Sequence, residues 1–336
     1  MLNADLKEFE FISDFDKLVI SAVLAVPSGD VHGIVQFVHG MNEHKERYYP
    51  FMDYLAEQGF ITVIHDNRGH GRSIVEPDDL GFMFRNGGEG FVNDITQFNK
   101  RIREAYPNVP VFMIASGMGA AGAECFIKEH DSAVDGVVLL GTICYSPFSP
   151  VARTIRSVSA KRPGSRFRSE KIFNAVDDGF GQFFEDPINS WRCSDADAVL
   201  TFNEDPLCNF KPTLNCYEEL IWLVKQAGSS RGWKVTNPSL PIRFISGRED
   251  SAMISEKKFM KTVERLEKTG YESISHRLFD GMRHDVLMEK NNINVYKDIA
   301  KTLFSWLDRW NDSHSESGAA PQAEEAPPQT EEEVQE

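Results

Sequence analysis

A mostly parallel α/β sheet flanked by helices and interrupted by a helical insertion is the fold class predicted by this sequence of 336 residues. Three observations carry that prediction. Short β-branched runs alternate with helix-length amphipathic segments. Several of the runs are apolar at consecutive positions, as strands covered on both faces require. The alternation then stops for roughly 90 residues before it resumes, too long a gap for a bare loop. A hydrophobic content of 41% with 11% aromatics supplies the core.

Taken in order, residues 18–26, 33–38, 60–65, 109–114, 136–140, 242–246 and 273–279 read as strands, in a sheet of eight strands or a similar number. The first two read as an antiparallel hairpin. Residues 47–58, 90–106, 118–130, 256–268 and 291–310 carry apolar side chains at three- and four-residue spacing and read as helices. Between Cys144 and Asn237 no β signal is clear. The stretch is instead rich in aromatics, among them Phe148, Phe167, Phe173, Phe180, Phe183, Phe184, Trp191 and Trp222. It reads as helices laid over one edge of the sheet, with the aromatics either packing the insertion onto the core or also lining an acyl channel. No internal repeat and no G-x-G-x-x-G is present, so a dinucleotide site has no support.

Charge and cysteine usage exclude further classes. The net charge of −15 opposes nucleic-acid binding, which needs clustered Lys and Arg. Seven of those negative charges are glutamates from position 316 onward, leaving −8 for the rest. Residues 313–336, rich in Ala, Pro, Gln and Glu, cannot offset their ordering entropy and read as a disordered acidic tail available to a partner. Five cysteines, an odd count without C-x-x-C spacing, suggest neither a disulfide framework nor a zinc site. The apolar run at residues 18–27 is too short for a membrane span and lacks a basic leader, so a cytoplasmic location is expected, with no cofactor and no metal.

Informative residues gather in loops that follow strands, where open α/β sheets bind ligands. These loops are His39-Gly40-Met41-Asn42-Glu43-His44, Asp66-Asn67-Arg68-Gly69-His70-Gly71-Arg72-Ser73, Ala115-Ser116-Gly117-Met118-Gly119-Ala120, Gly247-Arg248-Glu249-Asp250 and Gly281-Met282-Arg283-His284. Together they resemble the α/β-hydrolase superfamily, and within it the branch of monoacylglycerol lipases, lysophospholipases and related serine hydrolases. The resemblance covers about residues 8–310 and includes Asp205-Pro206-Leu207-Cys208 in the insertion, which is similar to that branch's cap. It implies an α/β-hydrolase core at 1–143 and 236–312, with a cap at 144–235. It also implies chain order nucleophile, acid, histidine, hence Asp250 as acid and His284 as base, with the backbone N–H groups of Met41 and Met118 as oxyanion donors. Glu249 stands beside Asp250 as a competing carboxylate.

At the nucleophile the sequence departs from that family. The strand-to-helix elbow needs small residues two before and two after its centre. Centring on Gly117 places Ala115 and Gly119 there; centring on Ser116 places Ile114 and Met118 there, which does not fit. The nucleophile position is therefore Gly117, which offers no oxygen or sulfur for a covalent intermediate. His39 reads as structural, and Arg68-Gly69-His70-Gly71 as a buttress. The basic residues Arg153, Arg156, Lys161, Arg162, Arg166, Arg168 and Lys171 read either as a solvated face or as a surface for an anionic head group or an acidic membrane, contacted transiently through the cap. Three functions stay open: a carboxylic ester hydrolase of weak or absent activity on a small acyl or lipid ligand held under the cap; a non-catalytic lipid- or partner-binding relative; and an enzyme using the Asp250–His284 dyad as a general base without a nucleophile.

Overall fold

The computed structural model describes residues 4–314 apart from 145, 147, 148, 163 and 185–187. The expected tail therefore lies outside the described residues, save Ser313 and His314, which close the last helix, and so does Phe148.

Eight strands form one sheet in the order β1-β2-β4-β3-β5-β6-β7-β8: β1 Asp5–Ile12, β2 Val19–Val26, β3 Gly33–Val38, β4 Phe60–His65, β5 Val111–Ser116, β6 Gly136–Leu140, β7 Ile242–Gly247 and β8 Ile274–Phe279. From β4 across to β8 every neighbouring pair is parallel. Strands β3, β4, β5 and β6 are buried at every position, the structural counterpart of their unbroken apolar runs.

Residues 18–26 and 33–38 do not form the expected hairpin. Strand β2 is antiparallel to β1 on one side and to β4 on the other, while β3 lies between β4 and β5. Burial decides this. β3 has no polar face to expose and takes a central place, whereas Asp5–Ile12, exposed at most positions, suits the sheet edge and supplies the partner for β2.

Alternate side chains of the central strands feed two cores. One face packs on α2 Gly87–Ala105, α3 Met118–His130, α7 Leu214–Gly228 and α8 Glu256–Thr269 through Phe91, Ile95, Phe98, Leu223 and Phe259. The other packs on α1 Tyr49–Glu57 and α9 Ile293–His314 through Phe51, Leu55, Ile299, Leu303 and Trp306. The insertion between β6 and β7 carries α4 Pro150–Ser159, α5 Glu170–Gly181, α6 Ala196–Glu204 and α7. Side chains of Ser149, Ser169, Asp195 and Thr213 cap their four N-termini, each contributing on the order of 1 kcal/mol. The insertion's own core is small, centred on Ile155, Val158, Ile172, Leu214 and Tyr217, and polar contacts add to the packing of α7 on the main core. Arg166 pairs with Asp79, and the Arg168 guanidinium donates to the carbonyls of Asp78 (2.7 Å), Leu80 (2.8 Å) and Lys211. Two of the seven basic residues thus fasten the insertion to the core, while Arg153, Arg156, Lys161, Arg162 and Lys171 are exposed. Among the described residues no helix is long and apolar enough to cross a membrane. The architecture is the α/β-hydrolase fold, a mostly parallel sheet with a helical insertion between β6 and β7.

Candidate active site

Strand β5 ends at Ser116 and α3 begins at Met118, leaving Gly117 alone to turn the chain. Its φ of +55° and ψ of −114° lie where side-chain-bearing residues are strained. Two residues on, a Cβ at Gly119 would lie 2.3 Å from the Val38 carbonyl oxygen, so the tightness inferred from the sequence is physical. A Cβ built at Gly117 would lie 3.2 Å from His284 Nε2. Ser116 is buried and borders a separate small void with Tyr48, Leu140 and Asp285, turned away from the cavity that Gly117 and His284 share.

Asp250 follows β7 and His284 follows β8. Their side chains meet, with His284 Nδ1 3.0 and 3.1 Å from the two Asp250 carboxylate oxygens. The carboxylate also accepts from Ser246 Oγ (2.8 Å) and from the Ala252 N–H (2.8 Å), which fix its orientation independently of the histidine. Glu249 is exposed and Asp250 is 4% exposed, which separates the two candidate carboxylates. Burial disfavours the charged His284 ring, but the Asp250 carboxylate and its hydrogen bond outweigh this and hold the pKa above its usual 6.5.

The cavity in front of His284 has a volume of about 350 Å³. Gly40, Met41, Gly117, Met118 and His284 lie on its core side, while Ile155, Phe180, Trp191, Tyr217 and Leu220 come from the insertion. Of the insertion's aromatics, then, some pack and some line the cavity. The Met118 N–H heads α3, where no intrahelical acceptor exists, and neither it nor the Met41 N–H has a hydrogen-bond partner among the described residues.

The Met41 loop is held from beneath. Glu43 accepts from the Gly40 N–H, from Tyr48 OH (2.7 Å) and from Arg47 (2.8 Å). His39 is buried; its Nε2 accepts from the Asn67 N–H at 2.9 Å and its Nδ1 faces the Gly40 carbonyl at 2.8 Å. Burial pushes its pKa well down, and a neutral, fully engaged ring is structural. Arg68, buried, binds Asp94 and Asp16, each at 2.8 Å, and forms part of the buttress.

Sequence reasoning missed Arg192 and Asp285. Arg192 lines the cavity, donates to the Met41 carbonyl at 3.1 Å and lies 3.5 Å from Asp285, which Arg47 approaches to 3.4 Å from the other side. Burial alone would raise the Asp285 pKa; Arg192, Arg47 and His284 together hold it below the usual carboxylate value. A carboxylate directly after His284 was the available signal.

One group among the described residues has metal-ligating chemistry, His44, Asp205 and Cys208. In it the His44 imidazole is ion-paired with Asp205 (2.8 Å) on one nitrogen and with Glu46 on the other. Burial opposes protonation there, yet hydrogen bonds with Cys208, Glu46 and Asp205 push the pKa up to about 11. The five cysteines are buried free thiols.

The chain is similar to known proteins in sequence and in fold. A monoglyceride lipase homologue of Monkeypox virus is 21% identical over 277 residues, 82% of this chain and 88% of that one. The monoglyceride lipase of Rattus norvegicus is 30% identical over 136 residues, 40% of this chain and 43% of that one, so that match spans less than half of either. In fold, the chain is similar to a thermostable carboxyl esterase from Bacillus coagulans solved with glycerol, with a TM-score of 0.81 at 23% identity over 90% of this chain and 99% of the other. The profile described as serine aminopeptidase, S33, matches residues 29–291, and the chain belongs to that family of the α/β-hydrolase superfamily.

Proposed function

We propose that this chain holds a monoacyl lipid or another carboxylic ester beneath the cap formed by residues 144–235, and turns it over at or near background because its nucleophile position is Gly117. The observation that carries the reading is the 3.2 Å between a Cβ at Gly117 and His284 Nε2, which is where a serine hydroxyl would have to hang. Asp250 would orient and charge-stabilise His284, and the Met41 and Met118 amides would take the developing oxyanion. With no hydroxyl at residue 117, only a water activated by His284 remains as nucleophile. Losing the nucleophile of a comparable triad costs ~10⁶ in turnover, with a residual ~10³ over water from the rest of the site. Phe183 and Ile254, 70% and 50% exposed on the cavity wall, support entry of an apolar chain. The exposed basic residues of α4 and α5 support transient contact with an acidic membrane surface.

The test is fluorophosphonate labelling and hydrolysis of p-nitrophenyl and monoacylglycerol esters by the wild type beside Gly117→Ser. The expected result is background in the wild type, with labelling at residue 117 and a gain of orders of magnitude in the variant. Robust wild-type turnover abolished by Ser116→Ala would overturn the assignment. The intact dyad beside two unpartnered amides also favours a second reading, in which His284 abstracts a proton α to a bound carbonyl. Deuterium uptake at that carbon, lost in His284→Ala, would distinguish it; silence in every assay would favour a binding role.

A further inference from the structure

Residues 190–194 of the cap, between α5 and α6, run beside the loop that carries His284. The two are joined largely through the backbone of the cap segment. The Asp285 N–H donates to the Arg192 carbonyl (2.6 Å), and the Arg283 guanidinium donates to the carbonyls of Ser190 (2.7 Å) and Cys193 (3.3 Å). Glu289 accepts from the N–H groups of Ser194 (3.0 Å) and Arg283 (2.7 Å) and from the Ser194 hydroxyl. Since residue 192 enters this seam by its carbonyl alone, the seam itself does not need an arginine there.

The Arg192 side chain leaves the seam and crosses to the loop after β3. Its Nη2 donates to the Met41 carbonyl at 3.1 Å, and its Nη1 lies 3.5 Å from the Asp285 carboxylate. The ring centres of Trp191 and Phe202 lie 4.7 and 4.3 Å from its guanidinium carbon, so the fork is held on its faces as well as its edge. The Met41 N–H belongs to the planar peptide unit between Gly40 and Met41, so its direction follows from what grips the groups on either side. His39 Nδ1 faces the Gly40 carbonyl at 2.8 Å and Glu43 accepts from the Gly40 N–H, and both of these grips come from the core. The grip on the Met41 carbonyl comes from the cap. The same guanidinium bears on His284. Arg192 opposes protonation of the ring, Asp250 and Asp285 favour it, and Arg192 with Arg47 keeps Asp285 ionised.

Resting on the ester-binding reading of that cavity, we infer that Arg192 is a positioning residue through which the cap sets both halves of the site, the direction of the Met41 amide and the seating of the loop that carries His284. The cap is thereby part of the frame of the site as well as a cover for its ligand. Two properties of the side chain act separately. The planar fork meets the Met41 carbonyl and the Asp285 carboxylate at once, a geometry that the compact ammonium of a lysine does not reproduce. The positive charge faces His284, and a lysine keeps it where a methionine does not. Arg192→Lys and Arg192→Met therefore separate geometry from charge.

The test is NMR of the full chain labelled at methionine amides and histidine rings, in wild type, Arg192→Met and Arg192→Lys. Arg166→Met, which breaks a different fastening of the cap to the core, is the control. The Met41 amide resonance should shift or split in both Arg192 variants, while that of Met118, at the head of α3, stays; neither should move in the control. The His284 ring should titrate higher by about 0.5 in pH or more in Arg192→Met, which loses the opposing charge, and near the wild-type midpoint in Arg192→Lys, which keeps it. In the Gly117→Ser background both Arg192 variants should lower kcat for a p-nitrophenyl ester by about tenfold to a hundredfold, with KM held within about twofold. An inactive Gly117→Ser chain counts against the ester reading and not against Arg192, which the resonances then decide, since they need no turnover. If Arg192→Met does not fold, Arg192→Lys carries the same comparison at Met41. The positioning role is overturned by an unmoved Met41 resonance, by Met41 and Met118 moving together, by an equal shift of Met41 in the control, or by an unmoved His284 midpoint in Arg192→Met. A rise in KM at unchanged kcat also overturns it, because Arg192 would then be a substrate contact.

Discussion

Replacing Gly117 with alanine or serine adds a Cβ at the most constrained turn of the molecule, and the two variants separate strain from chemistry. At φ +55° and ψ −114° a side-chain-bearing residue is held with a strain of about 1–3 kcal/mol. The lower entropy of the unfolded variant chain returns roughly 0.4–1 kcal/mol of that. The new Cβ also sits 3.2 Å from His284 Nε2, close enough to push the ring by a few tenths of an ångström. Gly117→Ala should therefore lose about 1–2 kcal/mol, a fall of roughly 1.5–3 °C in Tm for a chain of this size. Serine carries the same strain but can donate from Oγ to Nε2, recovering about 0.5–1.5 kcal/mol. Urea unfolding followed by tryptophan fluorescence, on wild type and both variants, measures the three values. The serine-over-alanine difference should also depend on pH. It needs a neutral Nε2, so it is present at pH 9 and fades as pH falls through the His284 pKa, which Asp250 holds above 6.5. An alanine variant as stable as wild type would refute the strain, and a serine variant no more stable than alanine at pH 9 would refute the approach of residue 117 to His284.

In the Gly117→Ser background, ester hydrolysis should rise with pH through an inflection above 6.5, because the base works deprotonated; adding Asp250→Asn should lower the inflection and reduce kcat by about 10²–10⁴, read from pH–rate profiles. Arg68→Met strands the buried Asp94 carboxylate and should cost about 3–5 kcal/mol by urea unfolding, much of it recovered when Asp94→Asn is added. His44→Gln removes the imidazolium between Glu46 and Asp205 that ties the loop after β3 to the insertion, and should speed tryptic cleavage within residues 144–235 while costing about 1–2 kcal/mol.

The elbow was legible in the sequence because its demand is local: Gly119 is small because the Val38 and His39 carbonyls crowd it, and two residues of spacing were enough to prefer Gly117 over Ser116. For the carboxylate, the family resemblance named Asp250, but residue types alone did not separate it from Glu249. Asp250 and Glu249 are neighbours, and only the fold decides that Ser246 Oγ and the Ala252 N–H meet the first and not the second. Strand β1 was missed because an edge strand that buries essentially Phe11 alone carries no apolar run, and without β1 in view β2 was paired with the next run along the chain. Arg47 and Asp285 lie 238 residues apart, so no window contains the pair; what the sequence did offer was a carboxylate beside the candidate histidine.

The surviving dyad is weaker support for chemistry than it looks, because folding already accounts for it. Asp250 is buried and held by a hydroxyl and an amide, and His284 answers its remaining capacity while its ring lies 5.3 Å from that of Trp191. Removing Asp250 would leave His284 Nδ1 buried without its partner, and removing His284 would leave the Asp250 charge with only Ser246 Oγ and the Ala252 N–H, a loss that retains the pair whether or not it reacts. The amides of Met41 and Met118 are not held by a partner in that way, the second of them because it heads α3. Among the described residues nothing accepts from them, and Glu43, Tyr48 and Arg47 hold the Met41 loop in place from below. A donor facing an open cavity is free to meet a ligand oxygen in place of water. For that reason the most direct report on what this site still does is the binding of a boronic or phosphonic acid in wild type and in His284→Ala. Affinity that survives loss of the histidine would place the recognition in the amides, and affinity lost with it would place it in the dyad.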